Sequence, residues 1–154
     1  MHLFWHDDVL AETVELLSNF GYRVVAFDAR DWQTDQDMLV DLGRALSFPD
    51  YYGRNLDALN DCLSDVATYD YGATPVDKGT LVAVRGYDAF TERSPKTAQA
   101  LLDIFATQAR HGALVGHRML LLVQTADPRA SYEPVGATPV MWNPKEQLNA
   151  KRGL

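Results

Sequence analysis

The 154-residue sequence has little of what would assign it to several common classes of protein. A single cysteine, Cys62, excludes an internal disulfide. The longest apolar run, residues 119 to 123, is far shorter than the ~20 residues that a membrane-spanning helix needs. No basic segment, apolar core and cleavage site follow one another at the N-terminus, as they do in a secretory signal. We therefore expect a protein of the reducing cytoplasm, without a membrane function, that folds as one compact domain.

Basic residues are also in deficit, with 14 Lys and Arg against 21 Asp and Glu. Phosphate recognition requires clustered Lys and Arg, so direct binding of nucleic acid is not expected. Neither of the glycine-rich patterns that hold nucleotide phosphates, GxGxxG and GxxxxGK, occurs. The acidic residues concentrate between residues 49 and 77, where one arginine, Arg54, stands among six aspartates: Asp50, Asp57, Asp61, Asp65, Asp70 and Asp77. An acidic segment of this kind suits a basic partner.

Short apolar strand patterns alternate with helical patterns along the chain. The strand patterns are Arg23 to Asp28, which we expect to be buried on both faces, Thr80 to Val84, and Arg118 to Thr125. The helical patterns cover residues 9–20, 34–46 and 55–66, a short turn at 87–90, and a long helix that opens at Ser94 and Pro95 and ends before Gly112.

This alternation predicts an α/β fold, a single-layer parallel sheet of three strands packed by helices. We expect one domain over residues 1–154, with a core at about 23–125. Residues 1–22 then form an extra N-terminal helix. Residues 126–154 form a C-terminal extension, in which 139–142 can add an edge strand before a polar tail. Residues 68–79 lack periodicity and predict a long exposed connection.

The helix predicted from Asn55 carries two different stripes. Apolar residues at spacings of three and four face the core: Leu56, Leu59, Leu63 and Val66. Asp57, Asp61 and Asp65 follow one another at spacings of four on another side of the helix. Like charges at this spacing destabilise a helix by roughly 0.2–0.5 kcal/mol per pair. The helix dipole can favour Asp57 in the first turn but not Asp61, so stability alone does not explain the acidic stripe.

Two tyrosines and a glycine precede this helix. Tyr51 and Tyr52 can present large amphipathic rings beside the carboxylates, and tyrosine is favoured at the centres of protein interfaces. For either ring, packing into the core is an equally good interpretation of the spacing. The carboxylates and the rings together favour a protein-binding surface.

The run from Phe48 to Leu63, FPDYYGRNLDALNDCL, closely resembles the signature of the barstar family, the intracellular inhibitors of small secreted ribonucleases. The order of elements from about Arg23 to Thr125 agrees with this resemblance. The resemblance implies that the helix from Asn55 enters the active site of a small basic ribonuclease of the guanyl-specific type. Asp57 and Asp61 would then occupy the region of the substrate phosphate. The other implied contact residues are Tyr51, Tyr52, Gly53, Asn55, Leu56 and Asn60.

Some positions depart from the family pattern. Asn60 stands where the best-known member has a tryptophan, and Thr107 falls where that member has a contacting glutamate. The connection from Ser64 to Gly79 is longer than in compact members. These departures leave open a second function, that of a barstar-fold immunity or regulatory protein that binds a different protein without inhibiting a ribonuclease. In either case we expect a monomer when the protein is free.

Two other kinds of site find little support in the sequence. Cys62 could act as a nucleophile with His111 or His117 as base, but its spacing places it on the core side of the helix, so we do not expect an enzyme. The N-terminal histidines and aspartates, His2, His6, Asp7 and Asp8, lack the compact spacing of zinc motifs and predict a frayed terminus that caps a helix. No metal or cofactor is expected.

Overall fold

The computed structural model describes residues 1–154 and contains one five-stranded, fully parallel sheet in the order β2-β3-β4-β1-β5. The strands are β1 His2–Phe4, β2 Arg23–Asp28, β3 Thr80–Arg85, β4 Met119–Gln124 and β5 Met141–Trp142. The helices are α1 Asp7–Asn19, α2 Asp35–Ala45, α3 Leu56–Ala67, α4 Tyr87–Arg93 and α5 Pro95–Leu114, followed by a C-terminal 3-10 helix at Asn149–Arg152.

The predicted α/β class and parallel sheet are confirmed, but the predicted number of three strands is wrong. The additional strands are β1, which pairs with β4, and β5, which pairs with β1 at the sheet edge. The optional edge strand at 139–142 is therefore present, as two residues. β1 has only three residues, so it carries no periodic pattern, and its pairing partner is more than a hundred residues away in the sequence.

The sheet separates two hydrophobic cores, because alternate side chains of a strand point to opposite faces. Leu81 and Leu122 meet α1 residue Leu10 on one face. Val82 and Leu121 belong to the larger core on the other face, which also includes buried residues of α2, α3, α4 and α5. The acidic helix thus lies on the opposite face of the sheet from α1.

The prediction that Arg23–Asp28 is buried on both faces is wrong. β2 lies at an edge of the sheet, none of its residues is fully buried, and Ala26 is exposed. β3, one position further in, and β4 next to it have buried residues on both faces. An uninterrupted apolar run of six residues does not distinguish an edge strand from a central one.

Local signals place the starts of α2 and α3 correctly. Thr34 and Asp37 form a capping box at the start of α2, and Asn55 caps α3 by accepting from the backbone N–H of Ala58 at 2.8 Å. The predicted end of α5 is wrong, because Gly112 is buried inside the helix. The left-handed residue after the helix is Gly116, with φ of +83°.

The two ends of the chain are neither frayed nor wholly polar, contrary to prediction. His6 provides no side-chain cap for α1; its Nδ1 lies 2.6 Å from the Oε1 of Glu146. Glu146 also accepts from the backbone N–H groups of Trp5 and His6. Arg152 is buried and lies over the Trp142 ring at 4.3 Å.

None of the helices is long and apolar enough to cross a bilayer.

Candidate protein-binding site

Helix α3 is anchored by its apolar stripe and by its C-terminus. Leu59, Leu63 and Val66 are fully buried, and the helix packs chiefly against α5. The carbonyl of Ala67 accepts from Nδ1 of His117, just before β4 begins, at 3.2 Å. The C-terminus of α3 therefore lies near the N-terminal ends of the strands. The twelve residues of α3 span ~18 Å, so its N-terminus lies toward the C-terminal ends of the strands.

Two of the three aspartates predicted to form a stripe are free. Asp57 and Asp61 are exposed, one helical turn apart, and neither forms an ion pair or a side-chain hydrogen bond within the protein. Asp65 differs, because it is half-buried and accepts from the Tyr71 hydroxyl at 2.9 Å. The acidic face that a partner could reach is thus a pair of carboxylates rather than three.

The two tyrosines have different environments, which separates the two interpretations left open above. Tyr51 is 81% exposed and touches none of the core clusters. Tyr52 is half-buried, packs edge-on against Phe48 with ring centroids 4.9 Å apart, and leans on Gly43 of α2. Burial raises the pKa of Tyr52 to about 12. Tyr51 is therefore available to a partner, whereas Tyr52 mainly shapes the loop.

The loop between these tyrosines and α3 has a fixed backbone. Gly53 is exposed, and a β-carbon there would lie 3.2 Å from Nδ2 of Asn55. Arg54 has a left-handed φ of +49°, and its carbonyl accepts from Nε2 of Gln36 at 3.0 Å. Leu56, in the first turn, is half-buried against the core. Of these predicted contact residues, Asn55 and Leu56 serve the structure of the site directly.

Asn60 is part of a polar bridge between α3 and α5 that the sequence analysis missed. Its Oδ1 accepts from Nε2 of Gln108 at 2.8 Å, and Gln108 is itself buried. Oε1 of Gln108 lies 3.4 Å from Nδ1 of His111, which lies 3.2 Å from Oγ of Ser64. Gln108 lies between the buried positions Phe105 and Gly112 of α5. A polar residue at an apolar position of the helical pattern is therefore the sequence feature that could have indicated this bridge.

Cys62 lies on the buried side of α3, as the helical spacing predicted. Burial is the main reason that the pKa of its thiol is raised. His111 bonds with Ser64 and Gln108, and His117 bonds with Thr80 and Ala67. Neither histidine is hydrogen-bonded to the thiol, so the pairing that activates a cysteine nucleophile is missing.

The connection from residue 68 to 79 is less exposed than predicted. Tyr69 stacks on the His117 ring with centroids 4.3 Å apart, and Ala73 is buried, while Val76 is 89% exposed. The Tyr71 hydroxyl ties this connection to α3 by donating to Asp65. No three His, Cys, Asp or Glu side chains gather in a way that could hold a metal ion, the N-terminal residues included.

The structure thus combines a parallel α/β sheet with a helix whose exposed face carries two unpaired carboxylates, Asp57 and Asp61. A family model described as Barstar (barnase inhibitor) matches residues 22–124, about two thirds of the chain. The chain therefore belongs to the Barstar family, and the resemblance seen in the sequence is confirmed. The matched range agrees with residues 23–125, over which the order of elements follows the family pattern.

One relative gives a more local match. The chain is 52% identical over 42 residues to a protein of Bacillus subtilis (strain 168) titled "Putative ribonuclease inhibitor YrdF". This match covers 27% of the chain and 46% of the relative, so it spans less than half of that protein's length.

Proposed function

We propose that this protein inhibits a small basic ribonuclease of the guanyl-specific type by placing α3 in the enzyme's active site. The observation that carries the proposal is the pair Asp57 and Asp61, which are exposed, one turn apart and without a cationic partner in the chain. Membership of the Barstar family supports it. The ribonuclease would be bound by one monomer, and the protein would protect RNA in the cytoplasm.

The aspartates are better explained by binding than by folding. Two like charges one turn apart destabilise the isolated helix by a few tenths of a kcal/mol. A ribonuclease must hold a substrate phosphate with cationic groups, and carboxylates form short, charge-assisted hydrogen bonds with such groups. Asp57 and Asp61 thus mimic the charge of the substrate, and Tyr51 adds an exposed ring beside them.

The remaining residues of the proposed site support this surface or border it. Tyr52, Gly53, Asn55 and Leu56 fix the loop and the first turn, as described above. Asn60 is held by Gln108, so its Nδ2 is left to donate to an acceptor on the ribonuclease. This polar group replaces the aromatic contact implied for the family's best-known member, which favours a partner with a polar surface at that point.

The first experiment is a titration of the protein into barnase and several other small basic microbial ribonucleases, with RNA cleavage as the readout. We expect stoichiometric loss of cleavage by at least one enzyme. Asp61→Ala should weaken this inhibition by about 2–5 kcal/mol, because cationic groups of the enzyme would be left buried and unpaired. The range of about 2–5 kcal/mol is not independent of this family, because charge pairs of the barnase–barstar complex are among the known examples of such losses.

Glu15→Ala is the matched control, since Glu15 is an exposed carboxylate on α1, on the other face of the sheet. It removes the same charge and should leave inhibition unchanged. Both variants should melt at the wild-type temperature. If no ribonuclease is inhibited, the alternative of a barstar-fold protein with another protein partner gains support, and an unbiased pull-down from the source cell would follow.

Salt provides a second test of the same proposal. Long-range attraction between an acidic helix and a basic enzyme is screened beyond about 10 Å at 0.1 M salt. Raising the salt concentration should therefore slow association more than it speeds dissociation. Association that is insensitive to salt would contradict the electrostatic part of the proposal.

A further inference from the structure

A cationic feature borders the acidic helix. A pocket of about 220 Å³ lies between α2 and the loop that precedes α3, and two arginines, Arg44 and Arg54, line it. Phe48 and Pro49 contribute apolar lining and Asp50 one carboxylate, so the charged side chains of the lining sum to one positive charge. The unpaired cation of this pocket, Arg54, therefore differs in sign from the neighbouring pair Asp57 and Asp61.

The two arginines are not equivalent. Arg44 is paired with Asp41, one turn earlier in α2. Arg54 is exposed and makes no ion pair and no side-chain hydrogen bond, although aspartates lie near it in the sequence. Its backbone is nevertheless fixed, because Gln36 holds its carbonyl and Asn55 begins α3 directly after it. Arg54 thus presents a guanidinium with free donors from a fixed point of the backbone.

The sign of this charge is informative. A ribonuclease surface that is basic throughout would attract Asp57 and Asp61 but repel Arg54, which stands only three residues before Asp57. The first turn of α3 adds partial positive charge at the same place, because its backbone N–H groups point toward the N-terminus of the helix. Arginine in this setting matches a carboxylate, which it can bind through two parallel hydrogen bonds.

We propose that Arg54, with Arg44 beside it, binds an aspartate or glutamate of the ribonuclease on the rim of the enzyme's basic active site. This inference rests on the proposed function and makes the interface bipolar, with acidic residues of α3 at its centre and a cationic pocket at its edge. Arg54 is then a determinant of which ribonuclease is accepted.

The test uses every ribonuclease that the protein inhibits in an Asp61-dependent manner, with barnase as the first probe. Arg54→Gln should weaken binding at least about tenfold, and Arg54→Glu about a hundredfold, because a hydrogen-bonded charge pair is lost and then reversed. Arg54→Lys keeps the charge and should retain more affinity than Arg54→Gln. All three keep a β-carbon at the left-handed position, so thermal melts should match the wild type.

Arg118→Glu is the control for net charge. Arg118 is exposed, forms no ion pair, and directly precedes β4. It therefore lies near the C-terminus of α3 and away from the N-terminus, where Arg54 lies. Its reversal should change affinity by less than about twofold. If Arg54→Glu binds equally well or more tightly while Asp61→Ala still fails to inhibit, the proposed carboxylate does not exist and the proposed function stands. Inhibition of no ribonuclease would overturn both.

Discussion

Gly43 of α2 determines where the Tyr52 ring lies, and its replacement by alanine tests how the loop before α3 is held. A β-carbon at residue 43 would lie 2.9 Å from Cε1 and 3.0 Å from Cδ1 of Tyr52. Ordinary van der Waals contact begins near 3.4 Å, so the ring would have to retreat by about 0.5 Å. Phe48 packs edge-on against the ring and also lies 3.5 Å from the new β-carbon. The displacement must therefore be taken up by the loop that carries Tyr51.

Two opposed effects set the magnitude for Gly43→Ala. Alanine is favoured over glycine inside a helix by about 1 kcal/mol. Overpacking of an enclosed site costs about 1–3 kcal/mol. We expect a net loss of about 1 kcal/mol in the free energy of unfolding, together with weaker inhibition, although no atom of the proposed ribonuclease contacts has been removed.

Urea unfolding of Gly43→Ala, Tyr52→Ala and the double variant measures this effect directly. With the ring removed, Gly43→Ala should become stabilising, so the two substitutions should be coupled by about 1–3 kcal/mol. Greater stability of Gly43→Ala in the wild-type background, with coupling below about 0.5 kcal/mol, would refute the reasoning. It would mean that the ring does not rest on α2.

Three further predictions concern buried polar groups. Tyr52→Phe should raise the free energy of unfolding by on the order of 1 kcal/mol in urea titrations, because the buried hydroxyl has no hydrogen-bond partner. His117→Phe should lower it by about 2 kcal/mol or more, since the Thr80 hydroxyl and the Ala67 carbonyl lose their partner. Burial raises the pKa of Glu146, but backbone N–H donors outweigh it and leave that pKa below the usual 4.5. Its stabilising contribution is therefore present above pH 4.5 and lost as pH falls through the lower folded value. Proteolysis of the C-terminal segment should therefore accelerate as pH falls below 4.5 in the wild type, whereas proteolysis of Glu146→Gln should not change over this pH range.

The sequence predicts best where local chemistry decides the structure. The starts of α2 and α3 depend on Thr34 and Asn55, whose side chains bond with backbone groups three residues away. The same applies to the exposure of Asp57 and Asp61, which follows from helical spacing against the buried stripe. Such features need no knowledge of the rest of the chain.

The missed features depend on residues far apart in the sequence. β1 becomes a strand through pairing with Leu122 to Gln124, and Asn143 donates to the carbonyl of Leu3. The bridge between α3 and α5 joins Asn60 and Gln108, which are 48 residues apart in the sequence. Even Asp65, which belongs to the predicted stripe, is withdrawn from it by Tyr71 of a connection whose sequence has no period. Local patterns carry no information about these partners.

The inner side of α3 supports the fold, whereas the outer side is the part that we propose for recognition. Substitutions on the inner side, at Leu59 or Leu63, would open cavities and cost several kcal/mol of stability. Substitutions at Asp61 on the outer side, or at Arg54 in the preceding loop, remove no packing and should leave the fold intact. Asp61 gains little from the helix dipole and is slightly opposed by its like-charged neighbour, so stability does not prevent this position from changing with the partner. A sequence can therefore keep the inner stripe and cap of a Barstar family helix while Arg54 and Asn60 adapt the surface to a different ribonuclease.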